Sequence, residues 1–385
     1  MNQSAFNIGR ARTACSLKIQ KRMRPVQKDY GETNFVTGMR AYAALAVVLI
    51  HVGGAGLSEL GRLGQHLAQV GSVGVYVFFV ISGFSVATSY ANANSYRAYL
   101  IRRVLRIAPL YYFWLAAAAG AVGLNFWGQV FDQRLGAYNW AMHLTFLGFL
   151  DYRVTNSIIG TEWSIHVEVF WYVLLPLLLR PIMRFRLGVP IAIATSALFY
   201  LLTVYVQQLL PMTENNASLL VGWNPLPYLF SFCLGMSAYK LRSKSENPAP
   251  RNLVMALVVL AIIVYLVTSS IWVRPFVKSY FFYSVATFAV ICLGSQQNFL
   301  CKTFLANRVA KFLGLISYGI YLSHYPIKEW LVAKHLIVSG TFSAFAVTIF
   351  LAIVISTLTY FVIERPASNW AKRLFVRRDE QEKAI

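Results

Sequence analysis

Long apolar runs recur from one end of the chain to the other, separated by short polar and mostly basic stretches. Ten of these runs approach the ~20 residues that a helix needs to cross the hydrocarbon core of a bilayer. They fall near 36–54, 70–91, 105–124, 160–179, 188–210, 222–239, 252–271, 279–295, 311–331 and 339–362. A further apolar piece, 139–150 (NWAMHLTFLGFL), is too short to span and is expected to be re-entrant or interfacial. The pattern predicts an all-α polytopic membrane protein. One transmembrane domain would cover 36–366, between a basic arm at 1–35 and a tail at 367–385.

Composition supports a bilayer setting. Of the 385 residues, 57% are hydrophobic and 15% aromatic, while only 13% are charged. That charged share is about half of what a soluble domain carries, too little to cover so much apolar surface. Basic residues then set the orientation. With the N-terminus inside and ten crossings, only 7 of the 35 Lys and Arg residues fall on the outer side. Short cytoplasmic loops favour positive charge, so both termini are expected to be cytoplasmic. Counting 139–150 as a crossing would swap every later loop and destroy the bias. The net charge of +21 is thereby accounted for by topology and anionic lipid, and no nucleic-acid partner is implied. The arm lacks the apolar core of a signal peptide and reads as a lipid-associated cytoplasmic segment. Cys15, Cys233, Cys292 and Cys301 show neither metal-ligand spacing nor a disulfide framework, so no metal site is expected.

Ionisable residues inside apolar spans are costly and usually serve a function. In RAYAALAVVLIHVGG (40–54), Arg40 and His51 are eleven residues apart. That spacing returns them to nearly the same helix face, about 16 Å apart along the axis. Arg40 can sit at headgroup level while His51 lies deep. A histidine can accept a proton at cellular pH, so His51 is a candidate general base. In SYRAYLIRRVLRIAPLYYFW (95–114), Arg102, Arg103 and Arg106 precede the apolar run and can share one patch. They read either as positive-inside anchors or as a phosphate clamp, since guanidinium groups bind phosphate with several donors. In GTEWSIHVEVFWYVLLPLL (160–178), Glu162 is accounted for by the preference of acids for a helix start. Glu168 lies deeper and must pair or take up a proton. His324, in GLISYGIYLSHYPIKEW (314–330), reads as a packing and hydrogen-bonding residue. Gly74 and Gly83 would allow close helix approach and Ser82 could bond across helices, so this element reads as packing rather than chemistry.

Taken in order, these elements resemble the integral-membrane acyltransferase-3 family, the bacterial O-acyltransferases of surface polysaccharides and related acceptors. The resemblance covers roughly 36–366. It rests on Arg40 and His51 (R-x10-H), on Phe78, Phe79, Ser82, Gly83 and Phe84 (FFxxSGF), and on the arginine-rich entry followed by Pro109, Tyr111 and Tyr112. It rests equally on Trp163, Ser164 and Glu168 (WSxxxE), on Ser317, Tyr318, Tyr321, Leu322, His324 and Pro326 (SYxxYLxHxP), and on Glu364 and Pro366 (ExP). Two positions depart from the family pattern: Tyr76 and Val169 stand where relatives often carry acids.

The resemblance implies transfer of an acyl group, most often acetyl, from cytoplasmic acyl-CoA to a hydroxyl of a glycan or lipid-linked saccharide. Acyl-CoA would act as co-substrate, with no permanently bound cofactor. His51 and Glu168 would be catalytic, and Arg40, Arg102, Arg103 and Arg106 would bind the donor. The expected location is a bacterial cell membrane, the inner one in a Gram-negative cell. With a short tail after the last run, the chain is expected to resemble the stand-alone form of the family. The rival reading is a transporter or flippase of a lipid-linked glycan, with the same polar residues as substrate contacts.

Overall fold

The computed structural model describes residues 34–53, 73–122, 136–211, 213–242, 276–294 and 298–371, with positions 61, 64, 65, 71, 255, 256 and 373 between and beyond them. No strand occurs among the described residues. Among the described residues, twelve α-helices follow in order. The first four are α1 (Asn34–Val48), α2 (Val73–Ala91), α3 (Tyr96–Ala121) and α4 (Gly136–Leu144). Next come α5 (Trp163–Arg184), α6 (Gly188–Leu209), α7 (Glu214–Gly222) and α8 (Leu229–Leu241). The last are α9 (Phe276–Leu293), α10 (Arg308–Leu315), α11 (Ser317–Ala333) and α12 (Phe342–Thr359).

Among the described residues, six helices are long and apolar enough to cross a membrane, and a seventh span arises if the pair Asn216–Gly222 and Leu226–Leu241, bent by 51°, is one crossing. Three expected spans remain, 252–271, 279–295 and 311–331. Residues 252–271 lie outside the described residues apart from 255 and 256. The apolar helix within 279–295 is the shorter Phe281–Leu293. The run 311–331 is broken: the chain leaves α10 at Ile316 and starts α11 at Ser317, whose hydroxyl bonds the Gly314 carbonyl at 2.9 Å. A hydroxyl that caps a carbonyl gives the backbone a local alternative to a straight helix. The 139–150 segment forms only the nine-residue α4 and a 3₁₀ turn, with Phe146 between them at φ 59°.

Helix starts differ from the hydropathy pattern for identifiable reasons. Ser95 caps α3 by accepting the Ala98 N–H at 3.1 Å, so the helix begins well before the apolar run. Arg102, Arg103 and Arg106 therefore lie inside α3, and Pro109 lies well within it rather than in its first turns. Arginine is a good helix former, and its long stem lets the charged head leave the apolar layer.

Packing orders the bundle. Helix α2 packs most closely on α8, and α1 lies against α2, α10 and α11. A side-chain carbon on Gly83 would strike the Phe232 carbonyl, and one on Gly235 would strike that of Val80. These two glycines let the backbones of α2 and α8 touch, which supports the packing role expected of Gly83. On the outside, α6 and α12 turn large apolar side chains outward, with Leu198 65% and Phe350 64% exposed. Water would not tolerate such faces, whereas lipid matches them.

Candidate active site

The four arginines singled out in the sequence converge. Arg40 from α1 and Arg102, Arg103 and Arg106 from α3 line one cavity of about 570 Å³. Ser85 on α2 organises two of them. Its hydroxyl accepts from Arg40 Nη2 at 2.6 Å, and its carbonyl accepts from Arg103 Nη2. The Arg103 guanidinium is buried and lies 5.0 Å from the centre of the Tyr172 ring. Arg102 sits nearer the surface, with Nη1 3.5 Å from the Asn92 carbonyl. Arg103 thus fastens α2, α3 and α5 together as well as contributing charge.

Arg40 and Arg106 also line a second, smaller cavity of about 70 Å³, so the two spaces share a wall. Glu168 faces this inner space. Its Oε1 accepts from Ser82 and from the Tyr172 hydroxyl at 2.5 Å. Ser82, expected to be able to bond across helices, does so as a donor to this carboxylate. Tyr318 and Tyr321 of α11 close the inner cavity. The Tyr321 hydroxyl donates to the Thr161 carbonyl at 2.8 Å and sits 2.6 Å from Ser164 Oγ.

His51 does not line either cavity, and its partner is a histidine rather than Glu168. It lies in a π turn, Leu49–Gly53, that extends α1. Such turns widen the helix and often occur at functional positions. Here the widening sets His51 against α11, where its Nδ1 is 3.0 Å from Nε2 of the fully buried His324. His324 Nδ1 is in turn 3.0 Å from the Ile320 carbonyl. A carbonyl only accepts, so His324 carries its proton on Nδ1. Its bare Nε2 then accepts from His51 Nδ1–H, which leaves the lone pair of His51 on Nε2. The Tyr321 and His324 ring centres are 6.1 Å apart, so one aromatic ring separates the pair from the inner cavity. His324 had a packing role in the sequence reading. The only signal for its partnership was the histidine within SYxxYLxHxP.

Glu162 also differs from its expected role. It is fully buried, and its carboxylate turns back from the start of α5. Oε1 accepts from the Ile158 and Ile159 N–H groups at 2.7 and 3.1 Å, and Oε2 from that of Gly160 at 2.6 Å. His143 Nε2 lies 3.1 Å from Oε1. These bonds hold the 158–161 turn whose Thr161 carbonyl receives Tyr321. They also explain why α5 starts at Trp163. His166, four residues on, bonds the Tyr111 hydroxyl at 2.8 Å instead of Glu162. Among the described residues, no group of three or more His, Cys, Asp or Glu side chains is placed to hold a metal ion.

A family model described as "Acyltransferase domain" (Acyl_transf_3) matches residues 33–361. The chain belongs to the acyltransferase-3 family. A Bacillus subtilis (strain 168) protein named provisionally as a peptidoglycan O-acetyltransferase, YrhL, is 24% identical over 89% of this chain and 56% of its own length. Peptidoglycan O-acetyltransferase OatA of Listeria monocytogenes is 23% identical over 76% of this chain and 49% of its own length. The chain thus spans about half the length of these two relatives. Nodulation protein 10 of Rhizobium leguminosarum bv. viciae is 26% identical over 79% of this chain and 84% of its own length. No solved structure matches the chain.

Proposed function

We propose that this protein is a membrane O-acyltransferase that moves an acyl group, acetyl by default, from cytoplasmic acyl-CoA to a hydroxyl of a glycan or lipid-linked saccharide. The observation that carries this reading is the convergence of Arg40, Arg102, Arg103 and Arg106 on one cavity, with Arg40 on the helix that runs into the His51 turn. A CoA donor brings phosphates, and a cluster of guanidinium groups is suited to bind them. A hydroxyl acceptor needs a base, and Nε2 of His51 carries a free lone pair. The acceptor hydroxyl gives its proton to that nitrogen, directly or through a relay, as its oxygen bonds the thioester carbonyl carbon. The C–S bond then breaks, and the CoA sulfur leaves to be protonated. His324 orients His51 through Nδ1, while Glu168, with Ser82 and Tyr172, shapes the inner cavity beside the donor arginines. The names of the bacterial O-acetyltransferase relatives support a glycan acceptor and a bacterial cell membrane.

Detergent-purified protein is expected to transfer acetyl from acetyl-CoA to a saccharide hydroxyl. Arg106, which faces both cavities, is the most informative arginine to change. R106A should weaken acyl-CoA binding at least about tenfold while acceptor binding changes little, and R106K should recover only part of the loss. Unchanged CoA affinity in R106A would remove the arginines as a donor site. Movement of a lipid-linked glycan without acyl transfer would instead favour the transporter reading.

The reading includes ten crossings with both termini cytoplasmic, supported by the distribution of Lys and Arg between loops. Single cysteines placed in 127–137 and in 182–187 should be labelled from opposite sides of the membrane. Labelling of both from one side would overturn this topology.

A further inference from the structure

The arginine cavity contains one acid that the donor clamp does not use. Glu364 ends the π turn Tyr360–Glu364 that continues α12, and it lines the cavity with Arg106. Its side chain is 9% exposed, and its Oε1 is buried with no hydrogen-bond partner among the described residues. A buried carboxylate oxygen without a donor is unfavourable, so a fold retains one only where something else satisfies it. Phosphate is excluded as that partner, since it carries the same charge. The missing group is an N–H or O–H donor on whatever fills the cavity.

Position selects the donor. The π turn of Glu364 packs on α3, the helix that carries Arg102, Arg103 and Arg106. Arg106 is a helical turn beyond Arg102 and marks the wall shared with the inner cavity. A ligand with its phosphates on Arg102 and Arg103 and its reacting end toward Glu168 must pass Arg106. In acyl-CoA, the part between phosphates and thioester is an arm with two amide N–H groups and a hydroxyl. We propose that Glu364 accepts a hydrogen bond from this amide-bearing arm. It would thereby distinguish acyl-CoA from donors that offer phosphates alone. The proposal rests on the acyl-CoA donor proposed for the cavity.

Equilibrium binding of two probes to the full-length protein in detergent separates the two ideas. Coenzyme A has the arm, and adenosine 3′,5′-bisphosphate lacks it. E364M keeps the side-chain length without an acceptor, and E364Q keeps one neutral acceptor. E364M should bind coenzyme A at least about tenfold more weakly than the unaltered protein, with E364Q between the two. Its affinity for the bisphosphate should stay within about twofold, whereas R106A should weaken both probes. If E364M and E364Q bind coenzyme A as tightly as the unaltered protein, or if both probes weaken together in E364Q, Glu364 does not read the arm. If the unaltered protein binds neither probe, the donor reading itself fails, and the role of Glu364 with it.

Discussion

H51Q and H51N proteins are expected to insert and to bind acyl-CoA normally, yet to transfer acyl groups at least ~10²-fold more slowly. The reason lies in which ring nitrogen is free. His51 is bonded through Nδ1 to His324, and His324 is pinned by the Ile320 carbonyl. The chain of bonds leaves Nε2 of His51 able to take a proton, which an amide cannot do at neutral pH. The loss should appear in kcat, because the missing interaction matters mainly as the proton moves. His324 is a positioning residue, and its replacements should show a different pattern. In H324Q the amide oxygen can still accept from His51 Nδ1–H, so H324Q should retain far more activity than H324L. Near-normal transfer by H51Q would return His51 to a packing role. Equal activities of H324Q and H324L would remove the orienting bond.

E162A should fail to give a stable protein, or should melt roughly 10 °C lower than the unaltered chain. Both nitrogens of His143 face acceptors. Nδ1 is 2.9 Å from the Asn139 carbonyl, and Nε2 faces Glu162. The Glu162 carboxylate also accepts from three backbone N–H groups, so it is the common acceptor of this buried cluster. Removing the carboxylate leaves three buried N–H groups without their acceptor, at about 1–3 kcal/mol each. Folded domains hold only about 5–15 kcal/mol of stability. The 158–161 turn would loosen and release Tyr321 from the Thr161 carbonyl, so transfer should fall in whatever protein survives. Thermal unfolding of detergent-purified E162A is the direct measurement. A melting temperature equal to that of the unaltered protein would show that the cluster does not hold the turn.

Much of the site is local and was legible before any fold was known. A helix has a fixed rise and a fixed number of residues per turn. The spacing of Arg102, Arg103 and Arg106 therefore predicted one patch, and all three line one cavity with Arg40. The long apolar runs were equally legible, because lipid requires every spanning backbone to satisfy its own hydrogen bonds. Where a side-chain bond redirects the backbone, hydropathy misplaced the ends. Ser95 starts α3 early, and Glu162 delays α5 by drawing on the N–H groups before it.

The sequence by itself determined an all-helical chain rich in membrane-length helices, its family, and the identity of its costly polar residues. Those follow from periodicity and transfer free energy, both properties of short segments. Only the tertiary structure decided which of those residues meet. His51 and His324 are 273 positions apart, Ser82 and Glu168 are 86, and Arg106 and Glu364 reach one cavity from opposite ends of the chain. Helix periodicity places a residue on a face but says nothing of which neighbour that face will touch. Close backbone packing settles that, as at Gly83 and Gly235, together with the π turns that re-aim His51 and Glu364.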